Sequence, residues 1–128
     1  MKGEDYIQQA LQTESQPSEE QMSRVNLRIL HALMGLQTET GELTDAVKRH
    51  IFYGTPLDKV NLVEEIGDVF WYIAILMDEL KVDVGDKASF EHAMKVNIEK
   101  LRARYPNKFT EFDAVNRDLD TERKILEQ

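Results

Sequence analysis

Apolar residues recur along most of the chain at helical spacing, and no segment shows the sustained alternation of a half-buried strand. Residues 4–12 (EDYIQQALQ) predict a short helix with Tyr6, Ile7, Ala10 and Leu11 inward, and residues 13–17 read as a break. Ser18 with Gln21 three positions later is a capping-box signal. A helical pattern runs from there to about Phe52, with Ile29, Leu33, Leu36, Leu43 and Val47 as its apolar stripe. Gly35 and Gly41 weaken it as an isolated helix, so packing must hold it. Tyr53-Gly54-Thr55-Pro56 is a turn, and Asp58 is placed to cap a second helix running to about Leu80.

That second helix carries two stripes. Leu62, Ile66, Val69, Ile73, Leu76 and Leu80 alternate four- and three-residue steps, and Val63, Phe70 and Met77 follow at sevens. A helix apolar on so many sides is expected at the centre, packed by neighbours or by another subunit. Residues 81–87 read as a loop around Gly85. Ser89 is placed to cap a helix through Tyr105 with Phe90, Met94, Ile98 and Leu101 inward, and Pro106 ends it. Residues 113–128 predict a short, mostly polar terminal helix. The expected architecture is all-α, a four- to five-helix bundle forming one domain over 1–128 with its core at about 18–109.

Composition narrows the classes. A chain of 128 residues suffices for one hydrophobic core. Its net charge of −8 disfavours a nucleic-acid partner, because such binding relies on neutralising phosphates. The same charge is compatible with a small phosphorylated substrate if a divalent cation sits between. Cysteine is absent, so thiolate metal sites are excluded. The most apolar stretch, 69–77, is too short to span a bilayer, and the first residues lack an apolar run. A cytoplasmic protein with no membrane partner is expected.

The candidate chemistry lies in the carboxylates. Between Ile66 and Met77 the only charged residue is Asp68, among Val69, Phe70, Trp71 and Ile73. A carboxylate buried in such company needs a cation or a hydrogen-bond donor. Glu65 stands three positions before it and Tyr72 four after, on the same helix face. The preceding helix carries Glu39 and Glu42, also three apart. A short turn makes the two helices antiparallel neighbours. Glu39 lies as far before Tyr53-Gly54 as Asp68 lies after it, and Glu42 matches Glu65 in the same way. Four carboxylates are therefore expected in one layer. Oxygen ligands in such density suit Mg²⁺ or Mn²⁺. A di-iron site needs Glu-x-x-His on two helices, and none of His31, His50 and His92 has a Glu three positions before it.

The segments ETGEL (39–43), EEIGDVFWY (64–72) and NIEKLRARYPNKF (97–109), in that order, resemble the all-α nucleoside triphosphate pyrophosphatase superfamily, nearest its MazG-like branch. The resemblance spans roughly residues 27–109. It implies a helical Mg²⁺-dependent hydrolase that cleaves a nucleoside triphosphate between the α and β phosphorus, yielding a monophosphate and pyrophosphate, as in nucleotide-pool cleaning. Mn²⁺ is a possible substitute. It implies Glu39, Glu42, Glu65 and Asp68 as metal ligands, with Glu39 or Glu42 orienting or deprotonating water. Glu64 is set aside as solvated or as a neighbour of the ligands. Asn97 matches a position near the substrate, and Lys100 and Arg104 on its helix face would hold phosphate oxygens. For Lys100 and Arg104 surface charge is the other reading. Tyr72 has two, contact with sugar or phosphate and packing in the core. Trp71 is read as a core or subunit-interface residue.

Asp45 reads as solvated, and Lys48 and Arg49 as its ion-pair partners, with phosphate contact as their second reading. The terminal NRDLDTERKILE segment suggests no role. A homodimer or a dimer of dimers is expected, from the apolar excess of the 58–80 helix and from the resemblance. Two alternatives to a general nucleotide pyrophosphatase remain: a non-enzymatic helical scaffold, and an enzyme of this fold specific for dUTP, dCTP or a phosphoribosyl nucleotide. A scaffold should not change its melting temperature with Mg²⁺.

Overall fold

The computed structural model describes residues 1–128, and all regular structure in it is helical. Seven helices follow in order: α1 (Gly3–Leu11), α2 (Glu19–Ser23), α3 (Leu27–Tyr53), α4 (Lys59–Val84), α5 (Phe90–Arg104), α6 (Glu111–Val115) and α7 (Leu119–Leu126). A single 3₁₀ turn, Gly85–Lys87, joins α4 to α5.

The long antiparallel hairpin of α3 and α4 dominates the structure. Its turn is built from the residues that signalled it. Gly54 takes φ +69°, a left-handed conformation, and its N–H closes α3 on the Arg49 carbonyl. The Asp58 carboxylate then caps α4, accepting from the N–H groups of Val60 at 2.9 Å and Asn61 at 3.1 Å. At the open end Arg28 of α3 bridges Asp78 and Glu79 of α4 at 2.6 and 3.0 Å. These pairs are largely exposed and pin the register more than they stabilise it.

Three predicted boundaries shift, each for a local reason. The helix expected over 18–52 is two helices, because the Asn26 side chain accepts from the N–H groups of Arg28 and Ile29 and starts a fresh one. The Ser18–Gln21 capping box opens only the short α2. Helix α4 runs on to Val84, since nothing breaks it before Gly85 at φ +61°. The terminal segment is likewise two helices, capped separately by Thr110 and Asp118.

Packing along the hairpin explains Gly35. The ring of Tyr72 lies where a Cβ on Gly35 would be, with Tyr72 Cε1 only 2.1 Å from that point. Ala32, fully buried, continues the seam, and the His31 ring meets Tyr72 edge-on at 5.7 Å. Gly35→Ala is expected to destabilise the protein. Overpacking costs about 1–3 kcal/mol, which outweighs the ~1 kcal/mol that alanine adds in helix propensity. Gly41→Ala meets nothing within 4 Å and should hold or raise stability. Urea melts of the two variants check this; equal stabilisation by both would refute the Tyr72 contact.

The rest of the chain covers the hairpin poorly. Helices α5 and α7 pack on each other. Their joint is Glu122, 4 % exposed, gripped by Arg104 at 2.8 and 2.5 Å and by Arg117 at 2.6 Å. The two arginines hold the Glu122 carboxyl down at about 2, against an ordinary 4.5. A depressed carboxylate stabilises the fold above its unfolded pKa and loses that contribution as pH falls through the folded one. Stability should therefore drop between about pH 4.5 and 2. Glu122→Gln should be less stable at neutral pH and flatter across that acid window, as acid melts followed by circular dichroism would show. An unchanged acid profile would count against the clasp.

Several inward expectations are not met within one chain. No residue of α1 is buried, so Tyr6, Ile7, Ala10 and Leu11 form an open apolar face. Met94 and Ile98 of α5 are exposed, while Phe90 and Leu101 are partly covered. On α4 only Glu65 is buried, and Val63 and Trp71 are 69 % and 55 % exposed. The protomer exposes 10601 Å², against about 7,000 Å² for a typical folded monomer of 14.9 kDa.

Candidate active site

Midway along the hairpin the carboxylates of Glu39, Glu42 and Glu65 converge. Each offers an oxygen within 4.8 Å of the others. The antiparallel register read from the turn therefore brings both helices' acidic motifs to one level. Glu65 is the anchored member, 8 % exposed and accepting from the Asn61 amide at 2.6 Å. Glu39 is half-buried and accepts from the Thr38 hydroxyl at 3.3 Å, and Glu42 is exposed.

No Lys, Arg or His pairs with any of the three. The electrostatic consequence falls on Glu39. Burial pushes its carboxyl above the usual range, the Thr38 hydroxyl opposes that, and the charges of Glu42, Asp68 and Glu65 add to the rise. An all-oxygen donor set under like-charge repulsion, with no internal cation, fits a hard divalent cation.

Asp68 differs from expectation. It is exposed, and its oxygens lie outside the close trio, although its charge still reaches Glu39. The premise of a carboxylate sunk among apolar neighbours fails because Phe70 and Trp71 are themselves exposed in the protomer, and Val69 and Ile73 are only partly covered; Glu65 is the buried acid. Glu64 is exposed, as read. Tyr72 is half-buried and packs on Gly35, one turn beyond Asp68.

On the turn side of the trio lies a cleft of about 300 Å³. Glu42, Asp45 and Arg49 line it from α3, and Thr55, Asn61 and Glu65 from the turn and α4. Asn61 escaped the sequence reading, although its place four residues before Glu65 is a visible signal. The sequence reads Asp45 as solvated and Arg49 as its ion-pair partner, with phosphate contact as the second reading for Arg49. They do pair, at 3.8 Å, but both also face this cleft.

The α5 residues are not brought there. None of Asn97, Lys100 and Arg104 lines the cleft. Asn97 is exposed and Lys100 half-buried. Arg104, read as a phosphate contact or as surface charge, is instead engaged by the Glu122 carboxylate in this protomer. Glu122 itself left no periodic signal in the sequence, because its role depends on Arg104, eighteen residues before it, together with the nearby Arg117.

A helical hairpin that gathers carboxylates from two facing helices is the architecture of carboxylate-site helical proteins. The family model described as the MazG nucleotide pyrophosphohydrolase domain matches residues 28–109, and the chain belongs to that family. No curated protein and no solved structure matches the chain. No helix is long and apolar enough to cross a membrane.

Proposed function

We propose that this protein is a Mg²⁺-dependent nucleoside triphosphate pyrophosphohydrolase, converting a (d)NTP and water to a (d)NMP and pyrophosphate. The observation that carries the reading is the convergence of Glu39, Glu42 and Glu65, unpaired with any cation, in a chain of this family. With Asp68 they would hold the metal, Mg²⁺ or in its place Mn²⁺. A bound divalent cation would neutralise the cluster and stabilise charge on the phosphate oxygens.

The protein's own groups supply the rest. Asn61 fixes the Glu65 carboxylate, so one ligand is preorganised. Glu39 or Glu42 would orient or deprotonate the attacking water. Asn97 and Lys100 remain the proposed substrate contacts on α5. They would reach the site through assembly, since they lie outside the cleft of their own protomer. Arg104 joins them only if Glu122 releases it.

We also propose a homo-oligomer. The excess exposed area is about 3,600 Å² per protomer. One obligate interface buries about 2,000–5,000 Å² counted over both partners. The excess thus favours two kinds of contact, as in a dimer of dimers.

The reaction is tested by its products. Monophosphate and pyrophosphate should appear in equal amounts, and chelator should abolish turnover. In ¹⁸O-water the label should enter the monophosphate, as attack at the α phosphorus requires. Release of orthophosphate with a diphosphate would overturn the reaction class. A full-length protein whose melting temperature ignores Mg²⁺, with no turnover of any triphosphate, would favour the scaffold reading.

A further inference from the structure

The carboxylate trio has two unlike flanks along the hairpin. Toward the open end stand aromatic rings: His31, Tyr72 and Trp71, with Trp71 and Tyr72 centroids 4.9 Å apart. Toward the turn lies the 300 Å³ cleft, which holds no aromatic ring. Its walls are charged or polar apart from Ala46 and Pro56. They carry four carboxylates, Glu42, Asp45, Asp58 and Glu65, of which Glu42 and Glu65 belong to the proposed metal set, with Thr55, Asn61 and Arg49. The aromatic flank is therefore the better place for a base.

Arg49 is the one cation lining that cleft. It stands seven residues from Glu42 on the same face of α3, about 10 Å along the axis. Its side chain donates no close hydrogen bond within the protein; its acidic neighbour Asp45 is 3.8 Å away, beyond hydrogen-bond length. The fork of N–H donors lies at the cleft, 60 % exposed, with only this loose ion pair to engage it. That contrasts with Arg104, whose guanidinium is saturated by Glu122. A planar guanidinium with free donors is suited to phosphate oxygens.

We propose that the cleft is the pyrophosphate subsite and that Arg49 is its phosphate-contacting residue. The nucleotide then lies along the hairpin with its β and γ phosphates toward the turn and its nucleoside toward the rings of Tyr72 and Trp71. The proposal rests on the pyrophosphohydrolase reading and adds a direction for the substrate.

Calorimetry on the full-length protein tests this without relying on turnover. Magnesium pyrophosphate and a nucleoside monophosphate are titrated into wild type, Arg49→Gln, Arg49→Lys and Lys48→Gln. Lys48 carries the same charge on the same helix and also neighbours Asp45, but faces a different groove. Arg49→Gln should weaken magnesium pyrophosphate binding about 10- to 100-fold, the size of a charge-assisted contact. Monophosphate binding should hold. Arg49→Lys should restore part of the loss, and Lys48→Gln should match wild type. A thermal melt of Arg49→Gln like that of wild type shows the fold is intact.

Unchanged pyrophosphate binding in Arg49→Gln would overturn the proposal. A loss of monophosphate binding instead would mean that the cleft takes the nucleoside end. An equal loss in Lys48→Gln would reduce the effect to general charge. Wild type that binds no pyrophosphate would refute the subsite whatever its activity. Wild type that binds it through Arg49 but releases orthophosphate would leave the subsite standing and remove the reaction class.

Discussion

Asp68→Asn and Glu65→Gln should each abolish most turnover while leaving the fold intact. The activity side follows from the proposed metal set. Each change removes one anionic ligand at nearly constant shape, and the loss of one preorganised electrostatic contact costs at least about 10²–10³-fold in kcat. The stability side follows from Glu39. Its carboxyl is raised above the usual range partly by the charges of Glu42, Asp68 and Glu65. A carboxyl raised in the folded state is ionised at a cost at neutral pH. Removing a neighbouring charge relieves that cost, so in chelator Asp68→Asn should melt at or above the wild-type temperature. In Glu65→Gln the new amide oxygen still accepts from Asn61, so the anchoring hydrogen bond survives. Steady-state kinetics with saturating Mg²⁺ and melts in chelator give both readouts. Wild-type turnover in Asp68→Asn would remove that residue from the ligand set. A collapse in melting temperature with turnover intact would invert the whole assignment.

A single charge placed on the open face of α4 should take the assembly apart. Val60, Val63 and Phe70 are exposed at helical spacing, and Gly67 lies among them with nothing within 4 Å of its missing Cβ. Such a strip admits a second helix closely. Burying one large apolar side chain contributes about 1.5–3 kcal/mol, and an ionised carboxylate in its place must be desolvated as well. Val63→Glu should therefore sediment as a monomer and melt well below wild type. Wild type should sediment as a dimer or tetramer at micromolar concentration and melt at a concentration-dependent temperature. A wild-type species of 14.9 kDa at that concentration would refute the oligomer.

The long helices were legible because their signals are local. Caps at Ser89 and Asp58 and the turn at Gly54 each act over a few residues, and the structure uses them as read, while part of the apolar stripes stays exposed in the protomer. The carboxylate register was legible for a related reason: a short turn between two helices leaves only one antiparallel alignment. Boundaries failed where competing caps were overlooked, at Asn26 and at Asp118.

What only the tertiary structure decided depends on groups far apart in sequence. The turn chemistry and the acidic spacing determined that Glu39, Glu42 and Glu65 would meet. They did not determine which acid would be buried, since burial depends on what covers each helix face, and the structure sinks Glu65 rather than Asp68. Nor could they reveal that Arg104 is held by Glu122, eighteen residues on, or that Arg49 lines a cleft between α3, the turn and α4. Periodicity reports which face of a helix is apolar. It does not report what stands against that face: α3 covers one side of α4, while Val60, Val63, Phe70 and Trp71 stay exposed in the protomer.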